Sequence, residues 1–209
     1  VASLHTGYFP LEAHQVPTTD IELYFDIEAA PDKDLIYLHG VLVVDNNHQT
    51  ETFHALLAEA PEEEEKAWFE FLDLMNRYAY SPVYHFCPYE AQTVARLGQL
   101  YGTKGTDINQ LLNRFVDIHK RIVDSVALPV ESYALKHLAR WMGFEWRDED
   151  ANGAQSICWY DDWLSSGDRT HLNTILRYSE DDCKATYRVK DWLVKFAQPF
   201  WQAKGKQVS

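Results

Sequence analysis

Cysteine is scarce in this chain. Its three cysteines, Cys87, Cys158 and Cys183, are odd in number and widely spaced over 209 residues. They argue against a disulfide framework or a zinc knuckle, and for a reducing, cytoplasmic compartment. Long apolar runs are missing as well: none approaches the ~20 residues needed to span a bilayer, so no membrane partner is expected. The opening VASLHTGYFP has neither the basic start nor the apolar stretch of a signal peptide, and a chain beginning at Val1 is expected to be a segment of a longer protein. Basic residues are the third shortage. The net charge of −13 argues against tight, nonspecific binding to nucleic acid. The deficit is uneven: residues 1–95 carry 3 basic and 17 acidic side chains, residues 96–140 carry 7 and 4, and residues 141–209 carry 9 and 11. The middle stretch is either an ordinary surface of mixed charge or a basic face on an acidic protein.

What is present is the composition of a globular protein. With 46% hydrophobic and 24% charged residues, disorder, a collagen repeat and a coiled coil are excluded as global descriptions. The length corresponds to one to one and a half domains at ~150 residues each, enough to bury a core without staples. Residues 1–19 have no period and read as a loose lead-in. IELYFDIEA, LIYLHGVLVV and the weaker TETFHALL are β-prone and closely connected, which predicts an antiparallel meander. Pro61 and the glutamates after it open a helix in which Trp68, Phe71, Leu72 and Met75 recur at helical spacing. The four-glutamate run reads as a solvated helix start. PVYHFC is a short buried strand, and Pro88 opens the helix EAQTVARLGQLYG. Residues 107–116 read as helical, with VDI a further strand. ESYALKHLARWMG is a helix ending at Gly143, SICWYDDWLSS one capped by Gly167, and Asp168 starts a long last helix. The expected fold is one α/β domain over 20–196, a mixed sheet of three antiparallel strands then parallel strands flanked by helices, with 197–209 as a tail.

The chemistry lies in the acids. Asp26 and Glu28 are two apart on a strand, so both project from one face while Phe25 and Ile27 take the other. Two carboxylates buried side by side repel each other and lose hydration, and a hard divalent cation such as Mg²⁺ resolves both costs. Asp20 and Glu22 have the same form on the same face. The second pair is preferred because it sits deeper in the strand. Glu90 follows the strand PVYHFC at a helix start, a common place for a surface acid. In the last helix Tyr178 and Asp182 are four apart, as are Tyr187 and Asp191. The apolar stripe of Leu172, Ile175, Leu176, Cys183, Thr186 and Leu193 distinguishes them. At ~100° per residue, Asp182 lies roughly 50° from its centre and Asp191 roughly 130°.

Taken together, these elements resemble the DEDD exonucleases of the ribonuclease-H-like superfamily. The first motif matches Asp26 and Glu28, the second His85 through Tyr89-Glu90, and the third Tyr178 and Asp182, with tyrosine marking the DEDDy subclass. LPVESYALKHLARWMGFEW, NGAQSICWYDDWLSSGD and YSEDDCKAT look like the ribonuclease-H-like domain of predicted bacterial RecB-family nucleases. The second motif departs from the pattern, because Glu90 stands where most DEDD enzymes have aspartate.

The resemblance implies a metal-dependent 3′–5′ exonuclease, a phosphodiesterase acting on single-stranded DNA or RNA through two Mg²⁺ or Mn²⁺ ions. Asp26, Glu28 and Asp182 would hold one ion, Asp26 would bridge to a second, Glu90 would complete the site and Tyr178 would orient or deprotonate the attacking water. Asp117 resembles an additional supporting acid. RecB-like nuclease or helicase modules are expected elsewhere in a longer DNA-processing protein. His85, Tyr89, Lys120 and Arg121 are the candidates for substrate contact, His85 having a core role as its alternative. Lys104, Arg114, Lys136 and Arg140 are further phosphate candidates. Trp141, Phe144, Trp146, Trp159, Tyr160 and Trp163 serve either base stacking or helix packing. The competing reading is a catalytically weakened nucleic-acid-binding or protein-interaction domain.

Overall fold

The structure, a computed structural model, describes residues 9–10 and 15–197. The proposed tail at 197–209, apart from its first residue, and most of the lead-in therefore lie outside the described residues. Strand β1 (Phe9–Pro10) pairs antiparallel with β7 (Val126–Ala127) beside the main sheet.

Alternating aromatic, aliphatic and acidic residues put β2 (Ile21–Ala30) at the centre of that sheet. It runs antiparallel to β3 (Leu35–Asp45), which pairs antiparallel with β4 (Thr50–Leu57). On its other edge β2 pairs parallel with β5 (Val83–His85), and β5 pairs parallel with β6 (Phe115–Asp117). The order β4-β3-β2-β5-β6 is thus three antiparallel strands followed by two parallel ones. This is the mixed α/β sheet that the sequence predicts.

The period of two divides β2 into two faces. Leu23, Phe25 and Ile27 join a core with Trp68, Phe71, Leu72 and Met75 of α1 (Glu64–Arg77). Tyr24 faces the other way, into the core shared with the last helix, α7 (Arg169–Trp192). Asp168 caps α7 by accepting from Thr170 N at 2.9 Å. The helix lies close on the sheet at Gly40, where an added Cβ would come within 2.3 Å of Ser179 Oγ.

Between them come α2 (Tyr89–Tyr101), α3 (Ile108–Leu112), α4 (Ile118–Ser125), α5 (Leu135–Trp141) and α6 (Gly153–Ser166). Three local expectations change. The helix expected over 107–116 stops at Leu112, because Phe115–Asp117 is drawn into the sheet beside β5. The helix expected from Glu131 starts at Leu135, because Ser132 Oγ accepts from Ala134 N at 3.2 Å and Tyr133 Oη bonds the backbone of Val126 and Leu128. The four-glutamate run is not wholly solvated either. Glu64 is buried and accepts from Ile36 N at 2.7 Å and from Tyr101 Oη at 2.5 Å, tying α1 to β3 and α2.

Candidate metal centre

Under α7 the acids of β2 meet an acid of the helix. Asp26, Glu28 and Asp182 each offer an oxygen, and these atoms lie within 4.8 Å of one another. None of the three is ion-paired among the described residues. Burial drives all three carboxyls upward from their ordinary range. For Asp26 the charges of Asp182 and Glu28 add to burial. Glu28 is pushed to about 8 by burial and then by Asp182. Asp182 rises to about 6 through burial, held down in part by hydrogen bonds from Trp146 and Tyr178 and by the charge of Lys136. Crowding three carboxyls together thus disfavours their all carrying charge at once.

Each carboxylate does have neutral donors. Ser179 Oγ donates to Asp26 Oδ2 at 2.7 Å, and Trp146 Nε1 donates to Asp182 Oδ1 at 2.6 Å. Beside Glu28 the hydroxyls of Tyr37 and Ser156 are hydrogen-bonded to each other at 2.5 Å in the core, and the pair favours the charged form of the carboxyl. The acidic run Glu180-Asp181-Asp182 divides its work. Arg147 binds Asp181 through its backbone N–H and Nε, both at 2.9 Å, and Glu180 through Nη2 at 2.7 Å. Only the third acid of the run joins Asp26 and Glu28.

Tyr178 is buried beside Asp182, and its hydroxyl helps to hold the Asp182 carboxyl down. Burial, and then the three neighbouring carboxylates, push its hydroxyl far above the ordinary tyrosine range. Glu90, on the first turn of α2, is buried with Oε2 lacking a hydrogen-bond partner, 3.5 Å from His85 Nδ1. Its charge is felt by Asp26, but it stands outside the cluster of three. His85 is buried, and its Nδ1 lies 2.7 Å from the carbonyl of Cys87, so that nitrogen carries the proton. Cys87 sits at φ +75°, a conformation rare for a residue with a side chain. Asp117 holds it by accepting from Cys87 N at 3.1 Å while also capping α4 through Lys120 N. Asp117 thus fastens the loop that delivers Glu90.

The competitors are occupied elsewhere. Glu22 is fully buried, with Lys190 Nζ at 2.6 Å and Tyr24 Oη at 2.7 Å, and Asp20 is exposed. Tyr187 packs on Tyr24 with ring centroids 4.9 Å apart, and Asp191 pairs with Lys195 at 2.8 Å. Of the substrate candidates, Tyr89 is 46% exposed, Lys120 pairs with Asp124 at 3.2 Å and Arg121 is half-buried. Arg114 is committed to the backbone carbonyls of Met75, Tyr78 and Ser81. Lys104 lies over Phe69, and Arg140 is 3.9 Å from Glu145. Lys136 reaches the site itself, 5.7 Å from the centre of the Tyr178 ring. The aromatic stretch mostly packs. Tyr160 stacks on Tyr37 at 4.1 Å, Trp163 donates to the Glu59 carbonyl and Trp141 meets Trp192 edge-on. Trp146 is the exception.

Sequence reasoning missed Ser179, Ser156 and Tyr37, which lack any periodic or compositional mark. Trp146 was visible as an aromatic but not as a partner of Asp182.

A family model described as RNase_H_2, of the RNase H superfamily, matches residues 23–194. Neither the curated proteins nor the solved structures provide a match.

Proposed function

We propose, from the premise that this chain belongs to the RNase H superfamily, that it is a DEDDy-type 3′–5′ exonuclease domain hydrolysing single-stranded nucleic acid. That superfamily is one of nucleic-acid-binding nucleases that use divalent metals. The observation that carries the finer reading is the cluster of three carboxylates within 4.8 Å, unbalanced by any ion pair among the described residues. Its donor set is all oxygen, which suits Mg²⁺ or Mn²⁺. Glu90 adds a buried oxygen without a hydrogen-bond partner close by.

Asp26, Glu28 and Asp182 would hold the first ion, and Asp26 and Glu90 would serve a second. Bound there, two such ions supply Lewis acidity to the attacking and leaving oxygens of in-line phosphodiester hydrolysis. Tyr178, beside Asp182, would orient or deprotonate the attacking water. Lys136, half-buried beside the Tyr178 ring and donating to the Ala151 carbonyl, is a nearby positive charge that would favour a phosphate at the site. In a longer chain the domain would serve a DNA-processing nuclease with RecB-like or helicase modules.

The test is digestion of 3′- and 5′-labelled DNA and RNA oligonucleotides with Mg²⁺ or Mn²⁺. A ladder shortening from the 3′ end is expected. Retained nucleic-acid and Mn²⁺ binding without any cleavage would replace this reading with the binding-module one.

A further inference from the structure

The metal reading rests on three acids, and the structure attaches a neutral donor to each. Trp146 serves Asp182, Ser179 serves Asp26, and the mutually hydrogen-bonded hydroxyls of Tyr37 and Ser156 lie beside Glu28 with one proton left to offer it. We propose that these four side chains are positioning residues: they fix the direction of each carboxylate without neutralising it, and Trp146 is the most important of them. The inference deepens the metal assignment of the preceding section and rests on it.

The donor chemistry is selective. A hydroxyl or an indole N–H supplies one proton to a carboxylate that has about four lone-pair positions, so most of the acceptor capacity stays free. A lysine or arginine there would hold the same oxygen and also cancel the charge that draws a cation in. The same helix provides the contrast, since Lys190 closes on Glu22 at 2.6 Å.

Trp146 is itself held in place by its neighbours. The next residue, Arg147, grips Asp181 and Glu180, and Asp148 pairs with Arg177 at 3.1 Å. Phe144 packs edge-on against the indole, with ring centroids 5.0 Å apart. Three consecutive loop residues are thus fastened to residues 177–182 of α7, and the middle fastening is a bidentate arginine. The indole is aimed at Asp182 by ion pairs that do not touch the site. Ser179 is fixed differently, pressed into the space that Gly40 leaves open.

Trp146→Phe keeps a ring in the pocket and removes the N–H. Ser179→Ala removes only a hydroxyl. Mn²⁺ affinity is measured by electron paramagnetic resonance and calorimetry, beside the melting temperature of the metal-free protein and the kcat and KM for a labelled oligonucleotide. Outer partners of metal ligands typically contribute 10–100-fold to affinity. We expect that range for Trp146→Phe and a few-fold loss for Ser179→Ala. KM should stay unchanged, kcat should fall, and added Mn²⁺ should restore part of the rate. A merely structural role would lower the melting temperature and leave the Mn²⁺ affinity of the folded protein unchanged, which would overturn the proposal. If only one variant folds, its Mn²⁺ affinity decides in the same way. A wild-type protein that does not bind Mn²⁺ would remove the metal reading, and this inference with it.

Discussion

Glu22 and Glu28 stand on one face of one strand, beneath one helix, and both are buried. At the Glu22 end, α7 supplies Lys190, and Tyr24 adds a hydroxyl. At the Glu28 end, α7 supplies another acid, Asp182, and the surrounding donors are uncharged. Moving a carboxylate out of water costs several kcal/mol in either place. One end recovers that cost within the chain. The other recovers it through protonation, or through a cation from outside. Burial of an acid is therefore a poor sign of function on its own. The informative sign is whether the fold has furnished a countercharge.

The sharpest way to test this contrast is to remove an acid at each end. Asp26→Asn should abolish Mn²⁺ binding and reduce hydrolysis to background. It should also raise the melting temperature of the metal-free protein, because one of three repelling groups is gone. Activity near the wild-type level would detach the site from the cluster.

The second comparison separates the two tyrosines of α7. Tyr178→Phe should lower kcat by about 10²–10⁴-fold, the range for a lost general acid–base group, with Mn²⁺ affinity retained. Tyr187→Phe, which loosens only the packing on Tyr24, should leave kcat nearly unchanged. Equal small effects in steady-state kinetics would remove the DEDDy assignment.

At the closed end, Glu22→Gln leaves Lys190 buried without its partner and should cost about 3–5 kcal/mol of stability by chemical denaturation. Mn²⁺ affinity of the folded protein should survive. If metal binding falls in step, the two ends are not independent.

The last comparison is a pH dependence. In the folded chain the carboxyls of Glu28 and Asp182 are raised to about 8 and about 6 from ordinary values of 4.5 and 3.8. Between those limits the folded state keeps protons that the unfolded state has released. The stability of the metal-free protein should therefore fall as pH rises from about 4 to about 8, and be insensitive to these groups below that window. Saturating Mn²⁺ displaces the protons and should remove the slope. Melting curves in EDTA and in Mn²⁺ at pH 5 and pH 8 test it, and equal slopes in the two would count against the cluster as a metal site.

The sheet and its order were legible because strand alternation and short connections are local signals. The meeting of Asp182 with Asp26 and Glu28 was legible in direction, because helical periodicity sets which way residue 182 turns. What pairs with each acid was not. Lys190 reads in sequence as one more charge on an amphipathic helix, and nothing in its spacing points to Glu22. Trp146, Ser179, Ser156 and Tyr37 reach the acids only through tertiary contact, and a serine carries no hydrophobic signal. Glu64 was misread for the same reason: a run of glutamates at a helix start is ordinarily solvated, and only tertiary donors, Ile36 N and Tyr101 Oη, draw one of them inside. The start of α5 was misplaced because Ser132 and Tyr133 offered the backbone nonhelical partners.

The close approach at Gly40 constrains how this protein is able to change. Alanine there would collide with Ser179 Oγ, and trimming Ser179 to make room would release Asp26. Two residues distant in the chain are thereby locked into a joint choice, and neither intermediate keeps both a well-packed helix and a directed carboxylate. A route of single substitutions toward a tighter core at this point passes through a form in which Asp26 has lost its donor. Stabilising changes are expected away from the helix–sheet contact, where core packing and the aim of a carboxylate do not share an atom.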